Sequence, residues 1–136
     1  MTAASPFEVE LAKAFGGYVL SGSVRPGPAS YDASGRRHVF IPPARTNSEA
    51  YALDVEDRVH PAPEFLHRRL SGKDCGEALR IWTEVEVVAK ILGEPSLIVL
   101  DRFVKSGKMI DDKELDIEIV RLDTDTHWVA VGRKGK

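Results

Sequence analysis

The chain has 136 residues, 43% of them apolar and 29% charged, with a formal net charge of −2. That length gives one ordinary domain, 1–136, with enough material for a core without cross-links. The near-neutral balance argues against nucleic-acid and membrane-surface binding. The lone Cys75 rules out an internal disulfide and any metal site that needs two thiolates, and no run of about 18 apolar residues exists to span a bilayer.

The N-terminal residues lack the basic and apolar regions of a secretory signal, so a cytoplasmic setting of bacterial type is expected. Ser5, Pro6 and Glu8 have the pattern of a helix start, and Phe7, Leu11, Ala14 and Phe15 form one apolar stripe that Gly16-Gly17 ends. Tyr18–Leu20 fits a short strand. Residues 21–37 are rich in Gly, Pro and Ser and are expected as a long loop, a feature that in a small domain points to function or mobility. Val39–Ile41 fits a strand stopped by Pro42-Pro43, and the alternation of Tyr51, Leu53 and Val55 with Ala52 and Asp54 predicts a half-buried strand. A turn or two of helix follows Pro63, carrying Phe65, Leu66 and Leu70, with Gly72 as its C-cap.

The clearest element is a helix over 75–92. Asp74 and Glu77 mark its start. Ala78, Ile81, Trp82, Val85, Val88 and Leu92 share one face, and Gly93 and Pro95 mark its end. Leu97–Leu100, Phe103-Val104, the alternating Leu115, Ile117 and Ile119, and Trp128–Val131 are expected as strands of an antiparallel meander over 96–131. The fold class is therefore α+β, with a central helix packed on a mainly antiparallel sheet and a C-terminal β-meander.

Asp74-Cys75-Gly76 opens that helix, where free N–H groups and the positive end of the helix dipole favour a thiolate. His127 opens a later strand, in His127-Trp128-Val129-Ala130-Val131. These two motifs resemble those of papain-like cysteine hydrolases. The resemblance implies Cys75 as nucleophile, His127 as its base, and the Cys75 backbone N–H as an oxyanion donor. The glutamine that lends the family a second oxyanion donor has no counterpart, since the sequence contains no Gln. Cys75-Gly76-Glu77 also resembles half of a zinc deaminase motif, but the Pro-Cys-x-x-Cys half is missing.

Other polar groups give weaker patterns. Asp54, Glu56 and Asp57, Asp111 and Asp112, and Asp123 and Asp125 are read as solvated carboxylates. Arg36-Arg37, Arg68-Arg69 and the Arg133–Lys136 tail are read as solvated surface. His38, His60 and His67 follow no metal-ligand spacing, so neither a metal nor another cofactor is expected. Two functions follow from these residues. One is a small protein-binding module, such as an inhibitor, immunity or accessory protein, with another protein as partner and the 21–37 loop as contact surface. The other is a cysteine hydrolase or deamidase built on Cys75 and His127.

Overall fold

The computed structural model describes residues 16–43, 50–58, 62–70, 72–73, 75–109 and 117–134. Strands β1 (Tyr18–Ser21), β2 (Ala29–Tyr31) and β3 (Arg37–Ile41) form one antiparallel sheet in the order β1-β3-β2. Strands β4 (Tyr51–Asp57), β5 (Ile117–Arg121) and β6 (His127–Lys134) form a second, in the order β4-β6-β5. Three helices accompany them among the described residues: α1 (Glu64–Arg69), α2 (Cys75–Leu92) and α3 (Ser96–Ser106). The architecture is α+β as expected, and the central helix α2 packs on the second sheet.

The layers follow from strand alternation. On β6, Val129 and Val131 turn to the first sheet and pack with Val19, Phe40, Leu53 and Val55. Their neighbours Trp128, Ala130 and Gly132 turn to the helices, where Ala130 meets Val87. A Cβ at Gly132 would collide with the Val87 and Ile91 side chains, so only glycine admits α2 this close to the sheet. Both faces of the second sheet are thus covered. This is why β4, expected to be half-buried, is buried at Ala52 and Asp54 as well as at Tyr51, Leu53 and Val55.

Several expectations need correction or refinement. The segment 97–104, expected as strand, is helix α3. Val99, Leu100 and Phe103 lie at helical spacing and pack toward α2, and Gly107 (φ 75°) closes the helix with its N–H bonded to the Phe103 carbonyl. The C-terminal antiparallel pairing is carried by β5 and β6. Within 21–37, residues 29–31 form β2, which pairs with β3 and makes this stretch a hairpin rather than an unstructured loop. The expected helix over 5–15 and the Asp74 cap lie outside the described residues. No helix among the described residues is long and apolar enough to cross a membrane.

Candidate metal centre

The end of the β2–β3 hairpin is organised by one side chain. Asp32 follows β2, and its Oδ1 accepts hydrogen bonds from the Ser34 N–H (3.0 Å), the Ser34 hydroxyl (2.6 Å) and the Arg36 N–H (3.0 Å). This is the turn chemistry that a short carboxylate favours, and Gly35 (φ 86°) supplies the left-handed residue it needs. With Oδ1 occupied in this way, Oδ2 points inward.

Two imidazoles meet that oxygen. His38 lies on β3 with its side chain on the same inward face as Phe40, and its Nε2 is 2.9 Å from Asp32 Oδ2. His127 is the first residue of β6 and projects toward the first sheet, as Val129 and Val131 do. Its Nε2 is 3.2 Å from the same Oδ2. The ring centroids are 5.3 Å apart. Asp57, opposite His127 in the β4–β6 register, adds a second carboxylate, with Oδ1 3.2 Å from His127 Nε2. Its Oδ2 accepts the Ala33 N–H at 2.6 Å.

The outer ring nitrogens are also held. His38 Nδ1 lies 2.9 Å from the hydroxyl of Ser21, its cross-strand partner, and His127 Nδ1 lies 2.8 Å from the Thr126 hydroxyl. The side chains of Asp32 and His38 are almost fully enclosed (2% and 1% exposed), while His127 and Asp57 are each 17% exposed. The centre is therefore closed on the first-sheet side and reaches solvent on the second.

The electrostatics suit a charged acid beside a neutral base. Burial opposes charge on Asp32, but the hydrogen bonds from Ser34, His38 and Arg36 outweigh it and hold the carboxyl well below its ordinary range. Burial pushes His38 down. The Asp32 carboxylate opposes that shift, and the charges of His127 and Arg36 reinforce it. A neutral His38 then donates its Nε2–H to Asp32 and accepts the Ser21 hydroxyl at Nδ1.

Asp32 Oδ2, His38 Nε2 and His127 Nε2 all lie within 4.8 Å of one another. Donors bound tetrahedrally to zinc at about 2.0–2.1 Å sit roughly 3.3 Å apart, close to the 2.9 and 3.2 Å separations from Asp32 to the two imidazoles. The two hydroxyls suit the metal-bound state equally well. Once Nε2 binds a metal, Nδ1 carries the proton and donates to Ser21 or Thr126, because a hydroxyl can give or take.

Of the residues singled out from sequence, His127 is in this centre. Cys75 opens α2, which packs on the helical face of the second sheet, whereas His127 projects from the opposite face. The Cys75 side chain lies outside the described residues. Of the carboxylates, Asp57 joins the centre, Asp123 pairs with Arg121, and Asp111 and Asp112 lie outside the described residues. Asp54 faces α2, almost fully buried, with Oδ1 3.8 Å from Lys90 Nζ and Oδ2 without a hydrogen-bond partner among the described residues. Burial, and then the charge of Glu56, raise its carboxyl well above the ordinary range.

Asp32 and His38 were missed because the ligands come from two sheets. The spacing from residue 38 to residue 127 carries no local motif. A usable signal was the pairing of an inward histidine on β3 with a turn-forming aspartate six residues earlier. No family model matches this sequence, and no curated protein or solved structure matches it either.

Proposed function

We propose that this protein is a metal-binding module that holds one divalent transition metal of the zinc class between its two sheets. Asp32, His38 and His127 are the ligands in this reading, and Asp57 stands on the solvent side of the bound ion. The observation that supports it most directly is the convergence of two histidine Nε2 atoms on a single carboxylate oxygen, with each Nδ1 already backed by a hydroxyl. Two imidazoles select zinc, cobalt or copper over magnesium and calcium, which prefer all-oxygen shells.

Calorimetric titration with Zn²⁺ and the visible absorption of the Co²⁺-loaded protein test this directly. One equivalent should bind, and Co²⁺ should show the intense bands of a four-coordinate site. His38→Ala and His127→Ala should each lower affinity by more than about 100-fold, since loss of a mere supporting contact already costs about 10- to 100-fold. Binding that survives both substitutions unchanged, or no binding at all, refutes the assignment. Cys75→Ala should leave metal affinity unchanged.

A further inference from the structure

We infer that the outer side of the first sheet, at Val24, Arg25, Tyr31 and Arg36, is a docking surface for an acidic segment of a partner protein. This goes beyond metal binding and gives the expected protein-binding role a definite place on the fold.

Charge is the first observation. The 16–43 stretch contains three arginines, Arg25, Arg36 and Arg37, against one carboxylate, Asp32. That carboxylate is buried and committed to the two histidines. Among the described residues, none of the three arginines forms an ion pair. Other arginines of the fold do: Arg68 pairs with Glu64, Arg69 with Asp101, Arg121 with Glu84 and Asp123, and Arg133 with Glu118. A patch of arginines with no carboxylate partner among the described residues, on a chain of net charge −2, is complementary to an anionic partner.

Exposure with rigidity is the second. Val24 is 92% exposed and Tyr31 63%, the two most exposed large apolar side chains of the described structure. The loop that presents Val24 is nevertheless tied down. Arg37 Nη1 donates to the carbonyls of Ser23 (2.9 Å) and Arg25 (2.7 Å), and Arg25 Nη1 donates to the Tyr18 hydroxyl (3.2 Å). At Gly27 (φ 144°) a Cβ would lie 2.9 Å from the Phe40 carbonyl, so glycine lets the loop lie against β3. Arg36 extends beside Gly22. Tyr31 is the cross-strand partner of Arg37, whose guanidinium holds the Ser23 and Arg25 carbonyls, so Tyr31 stands on the side of the hairpin that carries the Val24 loop. A held loop loses little entropy on binding, and an apolar tip ringed by guanidinium groups matches an apolar pocket edged with carboxylates. Three arginines and one well-exposed tyrosine on a chain of net charge −2 make a poor nucleic-acid site, so the protein partner is favoured.

The probe is a fluorescein-labelled dodecapeptide of repeated Glu-Glu-Leu, followed by fluorescence anisotropy. A Lys-Lys-Leu peptide and a single-stranded 12-nucleotide DNA serve as comparisons. The acidic peptide should bind saturably, weaken as salt rises, and outbind both comparisons. Arg25→Ala with Arg36→Ala should weaken it by at least about tenfold, as should Val24→Asp. The near-ultraviolet circular dichroism of Trp82 and Trp128 and an unchanged melting temperature show that the variants fold. No binding of the acidic peptide, equal binding by the double variant, or tighter binding of the DNA overturns the inference. None of these outcomes touches zinc affinity, so the metal assignment stands or falls separately.

Discussion

Replacing Asp32 by Asn changes one atom at the middle of the centre. Asn keeps the oxygen that accepts from Ser34 and Arg36, so the turn that Asp32 organises should survive. The other position becomes an amide nitrogen facing two imidazoles that previously donated to a carboxylate oxygen. Two charge-assisted bonds are lost, each contributing about 1.5–3 kcal/mol. Part of this returns if His38 shifts its proton to Nδ1, where Ser21 can accept it, and takes a bond from the new amide at Nε2. A net destabilisation of about 2–3 kcal/mol follows for the metal-free protein. In a domain of this size that lowers the melting temperature by roughly 6–10 °C. Zinc at about 100 times its dissociation constant should add about 2.7 kcal/mol to the wild type and nothing comparable to the variant.

Scanning calorimetry with and without zinc reads both effects, and acid sharpens the test. The folded Asp32 carboxyl lies below its unfolded value of 3.8, so its contribution is complete above that value and is lost as pH falls through the folded one. The part of the gap between wild type and variant that comes from Asp32's own titration should therefore be complete above about pH 5 and should narrow below about pH 4. A variant as stable as the wild type, with an undiminished zinc-induced shift, would refute the account of the centre.

Asp54→Asn should stabilise the protein at neutral pH. Burial raises the folded Asp54 carboxyl, so the folded state binds more protons than the unfolded one above pH 3.8. Stability then falls as pH rises, with a slope approaching about 1.4 kcal/mol per pH unit until the raised value is passed. Urea denaturation at pH 5 and pH 7 should show this decline in the wild type and a flatter profile in the variant. Gly132→Ala should cost about 1–3 kcal/mol in the same assay, because the added methyl meets Val87 and Ile91 of a helix that cannot withdraw without opening the core.

Much of the local structure was legible in the sequence. Helix α2 over 75–92 is long, and its period, start and stop signals agree, so its limits were readable. Strand β4 shows its alternation plainly, and β6 was readable from its continuous apolar run. The apolar run at 97–100 was not decidable in this way. Four apolar residues fit a buried strand or one turn of a helix, and the contacts of Val99 and Leu100 with the helical layer chose the helix.

The centre divides along the same line. The sequence marked His127 at the head of a strand and His38 beside another, while Asp32 stood unmarked in a stretch rich in Gly, Pro and Ser. Each of these is an ordinary local environment. Only the stacking of one sheet on the other brought the three to a common point. The face of β6 from which His127 projects is fixed by the burial of Val129 and Val131 two and four residues further on. That alternation also turned His127 toward Asp32 and away from the sheet face on which α2, opened by Cys75, is packed. Spacing along a chain encodes what a single helix or strand will place together. Convergence of residues 32, 38 and 127 depends on which faces two sheets bury against each other, and that is settled by the whole core at once.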